Sequence, residues 1–280
     1  MKSLKHSYVA KRVMIYVAAV IGIIWSCFPI YWMIKSSVTP NDEMYELHPK
    51  LLPSRITFEH YKELFTESEF MTFFMNSVYV AVITTLIAIV LSILASYAMT
   101  RLRFRGRNFI RKGIFYAYLL PTAVLFIPMY MMISKLGLIN NRNSLIIVYQ
   151  TIVIPYACYM LISYFAAIPK SLEEAAFVDG CTHLKALWKV ILPIAAPGIA
   201  VVATFAFTMS WNEYLYAMVL TTSPSQQTVP VGISSFRYSD NMIWGLIMSS
   251  SVIASLPAVI LYMLAQRFMV TGLAAGGVKQ

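Results

Sequence analysis

Phe74 to Met99 reads FMNSVYVAVITTLIAIVLSILASYAM, 26 residues without a charge. About 20 apolar residues in a helix cross the hydrocarbon core of a bilayer, so this stretch predicts a membrane helix. Five further runs qualify on the same ground: Val13–Ile34, Phe109–Ile133, Ser144–Ala167, Ile194–Leu220 and Ile243–Ala265. The whole chain has the matching composition. Of its 280 residues 59% are hydrophobic and 12% charged, with a mean hydropathy of +0.68. Soluble proteins carry roughly 25% charged residues, and a single water-soluble domain cannot cover itself with half that. A secreted disulfide scaffold and a disordered chain are excluded, and a soluble enzyme is disfavoured. No segment alternates polar and apolar residues over ten positions, as a membrane barrel strand does. The expected fold is all-α and integral to the membrane, with six transmembrane helices.

Spans three to six contain Pro121 and Pro128, Pro155, Pro197 and Pro257. Membrane helices tolerate proline because neighbouring helices and waters satisfy the freed carbonyls. Lys2, Lys5, Lys11 and Arg12 before the first span resemble the start of a signal peptide. Trp25-Ser26-Cys27-Phe28-Pro29 offers no small-x-small cleavage site, so an uncleaved helix is expected.

The charges orient the spans. With the N-terminus inside, fifteen of the 22 basic residues fall on inner segments, six of them in Arg101–Lys112. Nine of the twelve acids fall outside or near outer ends. This is the positive-inside pattern, and it predicts cytoplasmic termini in a multi-pass protein. It also accounts for the net charge of +10 without nucleic acid. The expected order is a cytoplasmic N-terminus (1–12), the first span (13–34), an external loop with seven acids (35–73), a core with the remaining spans (74–268) and a cytoplasmic tail (269–280).

One inner loop, 168–193, has structure of its own. Ser171 followed by Glu174 has capping-box spacing, and Asp179-Gly180 breaks the helix it starts. Thr182 then caps a second helix with Leu184, Leu187, Trp188, Ile191 and Leu192 along one face. Pro193 is expected to mark the junction with the fifth span. Such a hairpin either rests on the lipid interface or stands out as a rigid knob for a cytoplasmic partner.

Glu174-Ala175-Ala176, Asp179-Gly180 and Ile191-Leu192-Pro193 resemble the EAA loop of binding-protein-dependent ABC importer permeases. Asn76-Ser77, Arg101-Leu-Arg-Phe-Arg-Gly106, Ile168-Pro169, Trp211-Asn212-Glu213 and the tail from Gln266 to Lys279 are similar to the carbohydrate-importer branch, near the smaller membrane subunit of the maltose importer. The resemblance covers about Met71 to Gln280. It implies the type I ABC importer permease fold in the bacterial cytoplasmic membrane. The implied partners are a second, different permease, two ATPase subunits, an extracytoplasmic solute-binding protein and a sugar substrate. It further implies that Glu173, Glu174, Ala175, Ala176, Asp179, Gly180 and Leu184 dock an ATPase, and that Gly276, Gly277 and Lys279 reach its interface. A non-sugar solute such as a glycerol-phosphate diester belongs to the same branch.

Catalytic chemistry lacks its residues. The nearest approach to a phosphate-binding G-x-x-x-x-G-K-[ST] loop is Gly272–Gly277, followed by Val278-Lys279, with the lysine one place late. No enzyme activity is expected, and no cofactor: ATP and Mg belong to the partner subunits. His6, His48, His60 and His183 stand apart, and Cys27, Cys158 and Cys181 have no readable pairing, so no metal site is expected.

Glu213 is the sole acid inside a predicted span. At 1.5 Å per residue from Ile194 it lies roughly 28 Å along, near the outer surface, either as a packing partner or, with Trp211, Asn212 and Tyr214, as part of the translocation path. Ala88, Ser92 and Ser96, like Ser251 and Ser255, recur at four-residue spacing and predict close helix crossings. A secondary transporter needs midplane ion sites and repeats, neither of which is visible. A channel or scaffold leaves the stiff inner loop unexplained.

Overall fold

A computed structural model describes residues 2–237 and 243–276, with side chains described for 11–237 and 243–268. The chain forms two compact units, one of residues 1–68 and 233–254, the other of 69–232 and 255–280. Among the described residues five helices are long and apolar enough to cross a membrane, or six if one bent pair counts as a single span.

In the first unit, α1 (Lys2–Ser37) is followed by α2 (Asn41–Met44) and α3 (Glu59–Thr66). No residue of α1 from Lys11 to Ile34 is buried within the chain. Its last turn is tied down instead: the Ser37 hydroxyl lies 2.8 Å from that of Tyr61, and the buried His60 Nε2 lies 2.9 Å from the Thr39 carbonyl. Gly245 in this unit has no Cβ, and one placed there would sit 2.3 Å from His60 Nδ1. The Glu43 carboxylate accepts a 2.9 Å bond from the Ser54 backbone N–H, which holds its pKa below the ordinary value.

The second unit is built on α4 (Phe70–Arg101) and α7 (Arg142–Ala167). These run parallel and in register. Arg142 donates to Asn76 Oδ1, Gln150 Nε2 to the Thr84 carbonyl at 3.3 Å, Ser96 Oγ to the Cys158 carbonyl at 3.3 Å, and Arg101 to the Phe165 carbonyl at 2.9 Å. The expected ridge of Ala88, Ser92 and Ser96 is wholly buried. Small residues let the backbones approach here, and Ala88, Val153 and the later Ala206 meet in one cluster.

Because α4 and α7 point the same way, the chain between them has to return the length of the bundle. It does so through α5 (Arg107–Leu119) and α6 (Thr122–Lys135), bent by 100° against each other. The expected single helix Phe109–Ile133 is therefore broken. Pro121 is the cause. A residue before proline is driven out of helical geometry, and Leu120 (ψ 127°) and Pro121 (ψ 130°) are both extended. Pro128, Pro155, Pro197 and Pro257 stay inside helices.

Next come α8 (Lys170–Val178), α9 (His183–Ala186), a π turn (Leu187–Ile191) and α10 (Leu192–Trp211). The last three form one unbroken helix, His183–Trp211. Pro193 thus sits where the π turn passes into α10, as expected, but the helical course is unbroken there. A proline ring collides with a preceding carbonyl in a regular helix, and the wider π turn just before it gives the ring room. Gly198 of α10 lies against Tyr164 of α7, whose ring would be 2.7 Å from a Cβ. The fifth apolar run stops at Trp211 and resumes as α11 (Leu215–Leu220). A 3₁₀ turn (Pro224–Gln226) and α12 (Val229–Ser235) lead on to α13 (Trp244–Gly276).

Candidate docking site

The site starts from a helix with two faces. In α8, Glu173 and Ala176 are three apart and so share a face; both are buried. Leu172, Glu174, Ala175 and Val178 are exposed, Val178 by 88%. The expected capping box does not form. Pro169 occupies the N-cap with no side-chain cap bond, so the helix starts before Ser171 and both Ser171 and Glu174 lie within it. Proline's fixed φ suits a helix entry, and it takes the place of the serine.

Glu173 is held from below. Its carboxylate lies 3.1 Å from Arg101 Nε, with both side chains 5% exposed or less, and it accepts the hydroxyl proton of Tyr97. The Arg101 Nη2 donates to the Phe165 and Ile168 carbonyls at 2.9 and 2.8 Å. The last carbonyls of a helix lack a full set of intrahelical partners, and the guanidinium adds to the Ile168 N–H bond that the Phe165 carbonyl already accepts. The Tyr97 hydroxyl is also 3.2 Å from the His183 carbonyl and 3.4 Å from its Nδ1. Arg101 and Tyr97 therefore join the ends of α4 and α7 to the starts of α8 and α9.

The turn after α8 follows the sequence. Gly180 has φ 82°, a left-handed conformation suited to glycine, and Cys181 N–H reaches back 2.9 Å to the Ala176 carbonyl. Thr182 Oγ1 accepts from Lys185 N–H at 3.4 Å, as a cap should. The expected stripe along the second helix is split. Leu187 and Ile191 are fully buried, whereas Leu184 and Trp188 are 61% and 68% exposed. Asp179, Gly180, Leu184 and Trp188 thus extend the exposed face of α8.

The other predicted residues lie elsewhere. Trp211 is buried, stacked on Phe207 at 5.5 Å and edge-on to Phe74 at 5.6 Å. Asn212 ends α10, and the Glu213 carboxylate accepts from the backbone N–H groups of Tyr216 and Ala217 at 3.0 and 3.2 Å, capping α11. Tyr214 is 40% exposed. Gly276 closes α13, and Gly277 and Lys279 lie outside the described residues. Among the described residues no group of three or more His, Cys, Asp or Glu is placed to hold a metal ion.

Sequence reasoning missed Tyr97 and did not give Arg101 a partner. A lone arginine ending an uncharged helix was the available signal. At the opposite end of α4, Asn76 Nδ2 donates to the Ser225 and Gln227 carbonyls at 3.0 and 2.8 Å, and Ser77 Oγ accepts from Val229 N–H at 2.8 Å. The Asn-Ser pair thus pins the segment after α11.

Apolar helices fit to cross a bilayer, with a stiff two-faced helix clasped to one end, define a multi-pass membrane component. Residues 88–274 match the family described as the binding-protein-dependent transport system inner membrane component, and the chain belongs to it. It is 37% identical to the inner membrane ABC transporter permease protein YcjP of Escherichia coli over 96% of both chains. It is 36% identical to the diacetylchitobiose uptake system permease protein DasC of Streptomyces coelicolor over 94% of this chain and 95% of the relative. Its fold is that of a bacterial ABC transporter involved in import of the acidic polysaccharide alginate (TM-score 0.82, 24% identity, 92% of this chain and 97% of that one). This is the type I ABC permease fold, and the named relatives are transport components.

Proposed function

We propose that the chain is one of two different permease subunits of an ATP-driven sugar importer in a bacterial cytoplasmic membrane, and forms half of the translocation pathway. Two ATPase subunits dock on the cytoplasmic side, and an extracytoplasmic binding protein delivers the solute. Both termini are cytoplasmic. The chain binds no cofactor; ATP and Mg are held by the ATPase subunits. The relative named for diacetylchitobiose and the fold neighbour named for alginate both support a carbohydrate substrate.

The observation that carries this reading is the division of α8 into a clasped face and an open one. Glu174, Ala175, Asp179, Gly180 and Leu184 offer a surface with small residues at its centre and a carboxylate at its edge. The alanines let a partner approach closely, and Glu174 supplies charge-assisted hydrogen bonds to it. Glu173 and Ala176 support this surface from beneath. At the far end, Asn212, Glu213 and Tyr214 line the approach to the pathway, with Trp211 packed behind them.

Tagged wild type and Glu174→Lys are purified from native membranes and the eluates assayed for ATP hydrolysis. Wild type is expected to retain an ATPase and a second permease, and Glu174→Lys to lose at least nine-tenths of the hydrolysis. A wild type that elutes alone, with the variant identical to it, rejects the importer reading.

A further inference from the structure

The buried side of α8 differs in kind from its exposed side. A buried ion pair is costly unless its geometry is good and its remaining donors and acceptors are filled. Here they are. The Arg101 guanidinium faces one Glu173 oxygen with Nε and gives Nη2 to the Phe165 and Ile168 carbonyls at the end of α7. The second Glu173 oxygen accepts a hydrogen bond from the Tyr97 hydroxyl. Apolar packing would hold α8 in place but would let it slide or roll. Directional bonds from one planar, five-donor group fix position and angle together.

Both α4 residues lie within its last turns, and Arg101 is its final residue. Tyr97 also lies beside the start of the long helix that becomes α10, through the His183 carbonyl and ring. His183 in turn meets Phe177 of α8 edge-on at 4.8 Å. Four helix ends meet at this one buried point.

We propose that Arg101, Glu173 and Tyr97 are positioning residues. They make α8 and the inner end of α4 one rigid body, so that a displacement imposed on the exposed face of α8 reaches the membrane core without loss. The proposal rests on the docking reading above and adds to it: Glu173 belongs to the transmission and Glu174 to the contact.

The test uses the assembled transporter in lipid nanodiscs, with spin labels at Lys170→Cys in α8 and Leu86→Cys in α4. Leu86 is exposed and about 22 Å along the helix from Arg101. Inter-label distances are measured nucleotide-free and trapped with ADP and vanadate. Without further substitution the expected result is one narrow distance, the same in both states. Glu173→Gln is expected to keep the ATPase bound at the wild-type ratio, yet to give a broadened distribution that shifts on trapping.

Arg101→Met combined with Glu173→Met restores burial without direction, and so separates packing from clasping. It is expected to fold and to show the same broadened distribution. Should Glu173→Gln fail to fold, this double variant decides alone. A wild-type distance that changes on trapping, or a double variant with the unchanged narrow distance, overturns the proposal. Loss of the ATPase from a folded Glu173→Gln complex also overturns it, by moving Glu173 to the contact. If Glu174→Lys keeps its ATPase, the docking reading falls while the distances still report on the clasp.

Discussion

Glu173 and Glu174 are chemically identical neighbours with opposite fates. Successive residues on a helix point about 100° apart, so one carboxylate turns inward to Arg101 and the other faces out. Their fates are decided by Arg101, which arrives from another helix, and nothing in the loop itself distinguishes them. Gly180 is the converse case, legible locally. Its φ of 82° lies where a β-branched residue is strained, and no atom stands within 4 Å of where a Cβ would go. The cost of a substitution is therefore backbone cost alone. Gly180→Val is expected to destabilise the turn by about 1–2 kcal/mol, read as a lower midpoint in thermal unfolding of the detergent-solubilised protein. Gly180→Asn, which tolerates the left-handed region, is expected to stay close to wild type. Equal losses for both variants argue for a side-chain clash instead.

At the scale of the element, the long apolar runs were readable and their interruptions were not. Charge-free length is a property of the run itself, so α4 stands out without any knowledge of its neighbours. Pro121 looks no different in sequence from Pro155, yet one breaks a helix and the other sits within one. What separates them is the extended pair Leu120-Pro121, whereas Pro155 lies within the unbroken helix α7. The capping box failed for a related reason: Ser171 and Glu174 have the right spacing, but Pro169 had already started the helix. Pro193 stops nothing because the π turn absorbs its ring. Pro193→Ala removes the need for that turn. If the helix reverts to regular winding, the register of residues before the turn slips by one, or about 100° of rotation. Leu184 then leaves the exposed face. Pro193→Ala is expected to fold normally by size-exclusion chromatography and to lose at least half of the co-purifying ATPase. Full retention shows that the wide turn has another origin.

For the whole molecule, the apolar runs were legible in the sequence and the bend in the third was not. The parallel course of α4 and α7 requires one return crossing between them, and that assigns the bent pair α5 and α6 to a single span. The proposed orientation, with the basic excess inside, puts both termini and α8 on the cytoplasmic side, and fusions test it. A green fluorescent protein fused after Gln280 is expected to fluoresce. Alkaline phosphatase fused after Lys50 is expected to be active, and after Lys112 inactive, since it folds only outside the cytoplasm. Activity after Lys112 reverses the orientation. The seven acids of 35–73 and the long exposed face of α1 were visible as composition. Their roles were not, because both depend on what lies against them in the assembly.

The cross-links between α4 and α7 follow one another along the bundle from Asn76 to Arg101, each joining residues some sixty-odd positions apart. Such a ladder has no soft direction in shear. Sliding one rail along the other loads all four rungs at once. In the proposed importer the two helices are therefore expected to tilt together as one plank.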